Sequence, residues 1–313
     1  MKTVNMLKAF SRVVLIFLCS VVYQQCEAKI LIIVPVYNRP DFIEMQHKTF
    51  KKFLQEDYEL MMFNDANDPV MKKTIEATCR RLGITCVRVP QELHNVDPNC
   101  HKFSASYRHG EVMQFAFENY GFYHDDIVML IDSDVFLIRE FSVRNYLGDC
   151  DLFGVFQNCL VPQLCFLNMP KLENPQELNF RADIAPWNGC LLDAGTLTDR
   201  YLLSHRPKWR DLNPTQSILN NFLDRDIDIT SQLLAKGFSG KEINLIVNLI
   251  KICDRAKKQD PSTANSVCYN TKIGFYENNL FLDYKHGSGW HNPNVTDVLN
   301  KDRLVKDFIE SIL

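Results

Sequence analysis

From Lys29 onward the apolar and polar positions alternate between two periods. "KILIIVPVYN" (29–38) is an unbroken apolar run closing on Pro-Val-Tyr-Asn, the pattern of a parallel strand buried on both faces. Helical spacing begins at Asp41, and "YELMMFND" (58–65) is a second apolar run. "PVMKKTIEATCRRLG" (69–83) places apolar residues at helical intervals and stops on Gly83, a natural C-cap. "ITCVRVP" reads as a third strand, Ser104 caps a helix running to about Tyr120 and stopped at Gly121, and "DIVMLIDSD" (126–134) is the next strand.

Strands and helices alternating from 29 to 134 predict βαβ units and a mostly parallel sheet with helices on both faces. Ligands of such sheets bind beyond the carboxyl ends of the strands. Asn38, Asn64 with Asp65, and Asp132 with Asp134 all fall at those ends, so three polar clusters converge on one edge. The second half is less regular. "DLFGVFQ" (151–157) and "NGCLLDAG" (188–195) read as strands and 161–187, rich in Pro and Asn, as loop. Helices are predicted over "NPTQSILNNFL" (213–223), from Asp226 through "SQLLAKGF", and over "KEINLIVNLIKICDRAKK" (241–258). "NLFLDYKHGSGWHN" (279–292) is a strand entering a Gly-rich turn. With no internal repeat or Ser/Gly linker, residues 29–313 form one α/β domain, 29–150 its ligand-binding half and 151–313 its second half.

Composition changes this picture little. Of 313 residues 46% are hydrophobic and 23% charged, with a formal net charge of −3, so no basic block marks a nucleic-acid binder. The first 28 residues differ. "MKTVNMLKAFSR" is basic and free of acids, an 11-residue apolar run follows, and Cys26 and Ala28 occupy the −3 and −1 positions of a cleavage before Lys29. This is the layout of a secretory signal peptide, with a short membrane anchor as the alternative; a cytoplasmic protein with a buried N-terminal helix is the third reading. Nine cysteines lie beyond this segment without zinc-type spacing. In an exported chain Cys79/Cys86 and Cys159/Cys165 are the nearest pairs.

Asp132 and Asp134, at i and i+2 after a buried strand, are suited to hold one hard divalent cation, Mg²⁺ or Mn²⁺, with room left for water and phosphate. Other uses of two such aspartates fit less well. A haloacid-dehalogenase phosphatase places them after the first strand, a nucleotidyltransferase needs a Gly-rich loop after strand one, and no P-loop is present. Taken in order, "ILIIVPVYNRPDFI", "MMFNDAND", "LIDSDVFL", "DRDIDITSQLLAKGF" and "DYKHGSGW" resemble the motifs of GT-A glycosyltransferases, in the broad class related to family 2. The resemblance covers most of 29–292. The chain departs from the pattern at Arg225, where an acid would precede Asp226, and at Gln232, where an Arg is usual.

The resemblance implies a Rossmann-like GT-A fold and an enzyme moving a sugar from a nucleotide-diphospho-sugar to a hydroxyl of a glycan, lipid or protein. Asp132, Asp134 and His286 would hold the metal. Tyr37, Arg39, Asn64, Asp65, Arg108, Asp132 and Lys285 would contact the donor, with Gly287 and Gly289 near its diphosphate. Asp226 would be the base of an inverting reaction and Asp193 its rival or a donor-sugar contact. Asn188, in "WNGCLLDAG", matters more if the enzyme is retaining, and a non-catalytic glycan- or nucleotide-binding protein of the same fold is the alternative.

Overall fold

The computed structural model describes residues 29–94, 104–156, 159–183, 192–212, 214–215, 228–259, 272–276, 279–285 and 296–313. The first half follows the apolar pattern closely. Strand β1 (Ile30–Val36) leads to helix α1 (Pro40–Phe53), β2 (Tyr58–Asn64) to α2 (Pro69–Leu82), and β3 (Thr85–Arg88) precedes α3 (Ser104–Ala116). Helix α2 starts where Asp68 accepts the Met71 N–H at 2.7 Å and stops at Gly83, whose φ of +70° suits glycine. Helix α3 runs into a π-helical turn, Phe117–Gly121. A Cβ at Gly121 would sit 2.2 Å from the Phe117 ring, so glycine is required there.

β4 (Ile127–Ile131) is followed by β5 (Val135–Leu137), the short helix α4 (Val143–Leu147), β6 (Leu152–Phe156), β7 (Leu160–Asn168), α5 (Thr198–His205), β8 (Trp209–Asp211) and β9 (Pro214–Thr215). Then come α6 (Ile229–Ala235), α7 (Gly240–Gln259), β10 (Lys272–Tyr276), β11 (Phe281–Lys285) and α8 (Thr296–Ile312). Seven strands form one sheet in the order β3-β2-β1-β4-β7-β6-β8, parallel except where β7 pairs with β4 and β6. This is the mostly parallel, Rossmann-like α/β architecture that the alternation predicts. The remaining four make an antiparallel sheet, β5-β11-β10-β9.

Alternate residues of β1 serve opposite faces. Ile30, Ile32, Val34 and Val36 pack with Phe50, Ile75 and Cys79 of α1 and α2, whereas Leu31 and Ile33 pack with Val112, Met113 and Ala116 of α3. Each such fully buried aliphatic chain contributes about 1.5–3 kcal/mol. A third cluster joins α1 through Phe42 and Met45 to β5, β10, β11 and the last three helices.

Four expectations are corrected. Residues 160–168 are a strand rather than loop. The proline that argued for a loop, Pro162, lies where the β6–β7 register slips between Gly154↔Cys165 and Val155↔Val161, a bulge in which no ladder N–H is needed. Residues 194–197 form a turn, not a strand end, because Gly195 takes φ +88°. Pro214 and Thr215 pair with β10 instead of opening a helix. Helix α6 starts at Ile229, capped by Asp228, whose carboxylate accepts from the Ser231 N–H at 3.3 Å. Cys79, Cys86, Cys150 and Cys165 are free thiols. Among the described residues no helix is long and apolar enough to cross a membrane.

Helix α8 is tied back to the start of α1. Arg39 grips Asp41 through two hydrogen bonds of 2.9 and 2.7 Å, reaches Asp302 at 2.8 Å, and lies over the Phe42 ring; Lys306 bonds Asp41 from the other side. Burial alone would raise the Asp41 carboxyl, but Arg39 and then Lys306 hold it down at about 2. A carboxylate lowered in this way stabilises the fold above its unfolded value near pH 4, and that contribution is lost as pH falls toward 2. Arg39→Met is therefore expected to cost about 1–3 kcal/mol at pH 7, the range between exposed and buried pairs. Urea unfolding of both proteins across pH 7 to 2 checks this: the gap should narrow on acidification, and a constant gap would assign the loss to packing alone.

Candidate active site

Strands β2, β1 and β4 lie side by side and parallel, so the loops leaving their carboxyl ends meet. β1 delivers Tyr37 and Asn38, β2 delivers Asp65, and β4 delivers Asp132 and Asp134. Helix α3 contributes to each in turn. Arg108 Nη2 is 3.3 Å from Asp65 Oδ2, and its guanidinium lies 5.1 Å from the Tyr37 ring centroid. His109 Nε2 is 2.7 Å from Asp132 Oδ1. Ser106, one helical turn before His109, donates its hydroxyl to Asp193 Oδ1 at 2.7 Å. Gly110 allows this approach: a Cβ there would lie 3.0 Å from the Phe180 carbonyl oxygen.

The turn from Asp132 to Asp134 joins the two sheets. Ile131 ends β4 in the large sheet, and Val135 begins β5 in the small one. Opposite Val135 stands Asp283 of β11, wholly buried, its Oδ2 accepting from Gln163 Nε2 and from the Tyr276 hydroxyl at 2.8 Å each. Burial, then Asp132, then Asp283 push the Asp134 carboxyl well above the usual carboxylate range. Burial also pushes Asp65 up, to about 7, outweighing Arg108. His109 moves the other way for an imidazole: burial opposes its charge, but Asp132, with Asp193 and Asp134 behind it, raises it.

Most predicted residues that can be placed belong to this cluster: Tyr37, Asp65, Arg108, Asp132, Asp134 and, at the exposed rim, Asp193. Two do not. Arg39 is committed to Asp41 and Asp302. Asn64 is fully buried, donating to the Lys72 carbonyl at 2.9 Å and accepting from the Ala66 N–H at 3.2 Å, so it shapes the corner after β2. Lys285 ends β11 opposite Lys272. Asp226 and His286 lie outside the described residues, as do Asn188, Gly287 and Gly289.

Three residues escaped sequence reasoning: His109, Asp283 and Gln46. His109 had a signal, since Tyr-Arg-His-Gly at 107–110 parallels Tyr-Lys-His-Gly at 284–287, where the histidine was noticed. Asp283 is a carboxylate inside the apolar run "LFLDY", and Gln46 an amide on the buried face of α1 between Met45 and Phe50.

No protein-family model matches the chain, and no curated protein does. Solved structures similar to it include the mannosyltransferase PcManGT from Pyrobaculum calidifontis in complex with GDP-Man and Mn²⁺, with 10% identity over 45% of this chain and 44% of that one and a TM-score of 0.32. The mannosyltransferase Ktr4p from S. cerevisiae shares 11% identity over 41% and 39%, with a TM-score of 0.32. Glucosyl-3-phosphoglycerate synthase from Mycobacterium tuberculosis, in complex with phosphoglyceric acid, shares 16% over 60% and 70%, with a TM-score of 0.36. The chain spans less than half the length of the first solved structures it matches. Likenesses of this size assign no activity to the chain.

The turn carrying Asp193 depends on Gly195. Its φ is +88°, and a Cβ there would lie 2.4 Å from the Leu160 carbonyl oxygen of β7. Gly195→Ala is expected to destabilise the protein by about 2 kcal/mol or more, from backbone strain together with the clash. Urea denaturation measures this, and an unchanged midpoint would show that the turn adapts without cost.

Proposed function

We propose that the chain is a GT-A glycosyltransferase that moves a sugar from a nucleotide-diphospho-sugar to an acceptor hydroxyl with the help of a divalent cation. The observation that carries this reading is the junction turn: Asp132 and Asp134 stand at the carboxyl edge of a parallel sheet, beside an aromatic ring and an arginine on the adjoining loop and helix. The carboxylates suit a cation. Burial together with Asp132 and Asp283 leaves excess negative charge around Asp134, which a Mn²⁺ or Mg²⁺ ion would relieve. Among the described residues no three His, Cys, Asp or Glu side chains are grouped to hold a metal; Asp132 and Asp134 would supply two ligands, and His286 is the third that the resemblance implies. When bound, the cation neutralises charge developing on the leaving diphosphate.

The chain's own groups do the rest. Tyr37 and Arg108 flank the nucleotide, the ring as a stacking face and the guanidinium as a partner for phosphate, and Asp65 faces base or ribose. Asp132 is kept in place by His109. The acceptor hydroxyl gives its proton to a carboxylate as it attacks the anomeric carbon, and direct attack inverts the configuration. Asp226 and Asp193 compete for this role. Asp193 has a described place, with Ser106 fixing one oxygen and its charge felt by His109. Residues 1–28 would direct the chain into the secretory pathway or hold it at a membrane.

A panel of nucleotide-sugars screened for Mn²⁺-dependent hydrolysis tests the reading. Asp134→Ala should abolish Mn²⁺-dependent donor binding while the protein stays folded; full turnover in EDTA would sink the proposal. Because Asp134 holds its proton above the usual carboxylate range, a cation must displace it, and Mn²⁺ affinity should climb as pH rises. A pH-independent affinity would speak against Asp134 as a ligand.

For the base, Asp193→Asn and Asp226→Asn are compared by kcat at saturating donor. The true base should cost a factor of roughly 10²–10⁴ with donor affinity nearly unchanged. Loss in neither, or retention of anomeric configuration in the product, would remove the single-displacement mechanism.

A further inference from the structure

The junction turn has only three residues between the last position of β4 and the first of β5, and it must present two carboxylates while changing sheets. Its backbone groups are held from several directions. The Asp132 N–H donates to the Gln163 carbonyl of β7 at 2.9 Å, and the Val135 N–H closes the turn onto the Asp132 carbonyl at 3.1 Å. The Tyr284 N–H of β11 donates to the Asp134 carbonyl at 2.9 Å. The remaining hold comes from α1: Gln46 Nε2 donates to the Asp132 carbonyl and to the Val135 carbonyl, at 2.8 Å each.

Gln46 is an expensive residue to place there. It is fully buried on a helix face otherwise made of Phe42, Ile43, Met45, Thr49 and Phe50, and its Oε1 finds no hydrogen-bond partner among the described residues. An unmet buried acceptor carries the desolvation penalty of a polar atom without the bond that would offset it. A methionine would fill the same volume without that penalty. What the amide alone supplies is its N–H₂ group, and both hydrogens go to the residues that bracket Ser133 and Asp134.

We infer that Gln46 is a positioning residue for the cation site, clamping the Asp132 and Val135 carbonyls so that the Asp132 and Asp134 carboxylates keep the spacing one ion requires. The inference rests on the proposed function, which assigns those carboxylates to the cation. Gln46 itself touches neither ion nor substrate. It acts through backbone, in the way groups outside a coordination sphere orient ligands.

The test is Mn²⁺ binding to the full-length protein, followed by electron paramagnetic resonance of free Mn²⁺, for wild type, Gln46→Met, Gln46→Glu, Asp134→Ala and the Asp134→Ala/Gln46→Met double variant. Urea unfolding is run in parallel. Gln46→Met is expected to lose about 10–100-fold in Mn²⁺ affinity. Its kcat should recover at saturating Mn²⁺, so the defect falls on the half-saturating metal concentration. Gln46→Glu keeps the shape but turns a carboxylate toward two carbonyls, and should lose at least as much. In the Asp134→Ala background Gln46→Met should add little, because the carboxylate it serves is gone. Wild-type affinity in folded Gln46→Met and Gln46→Glu, with loss only in Asp134→Ala, would overturn the positioning role and leave the proposed function standing. Failure of both Gln46 variants to fold would overturn it in favour of a purely architectural role. No Mn²⁺ bound by wild type would remove the proposed function, and this inference with it.

Discussion

The turn that carries the chain out of the parallel sheet at Ile131 and into the antiparallel one at Val135 is the constraint on which the rest depends. A strand leaving a parallel sheet at its carboxyl end normally feeds a loop in solvent. Here it is anchored by an amide from α1, a carbonyl from β7 and an N–H from β11, so the two sheets are locked at one point. Asp134 is buried in a turn whose Asp132, Asp134 and Val135 backbone groups are hydrogen-bonded. The same rigidity would serve the proposed cation site, since two carboxylates sharing one ion must keep their spacing.

That rigidity brings an electrostatic cost. Asp132 and Asp134 of the junction turn crowd together with Asp283 of β11, and burial magnifies their repulsion. Asp283 is managed by neutral donors, Gln163 and Tyr276, while Asp132 is matched by His109. Burial beside the other two aspartates pushes the Asp134 carboxyl upward instead. Helix α3 is thus more than cover for the sheet. Its first two turns distribute a hydroxyl, a guanidinium and an imidazole among Asp193, Asp65 and Asp132. Shifted carboxyls gathered at a sheet's carboxyl edge support the cation site proposed above.

The first half of the fold was legible because local and global signals agree there. β1 to β4 are apolar runs of strand length, and Gly83, Asp68 and Gly121 punctuate the helices where backbone geometry demands them. In the second half the signals conflict. Pro162 inside a central strand reads as a loop until the register slip that accommodates it is seen, and β9 has only two residues. At the site, Asp132 and Asp134 could be found because they follow a strand. Asp65 and Arg108 could be nominated, though nothing local says that they pair. Asp283 and Gln46 were illegible for a single reason. Each is a polar residue in an apolar pattern with a partner far along the chain, Gln163 for Asp283 and the junction turn for Gln46, so only the folded chain shows the full set of its bonds.

Arg39 makes the same point from the other direction. Placed two residues after Tyr37, it reads as a donor contact, and a lone arginine beside a ligand-binding loop gives no ground to think otherwise. Its guanidinium instead gathers Asp41 and Asp302, with Lys306 completing a four-charge knot between α1 and α8. This ties the chain's last helix to the first loop of the sheet. Helix α1 is then fixed at its N-terminus by Arg39, packed at Phe42 and Met45 against the small sheet, and bonded at Gln46 to the junction turn. One helix therefore touches both the C-terminal helix and the turn that carries the two carboxylates. Charge that reads as a donor contact in the sequence pairs with other charges, and an amide that reads as core packing bonds the turn between the two sheets.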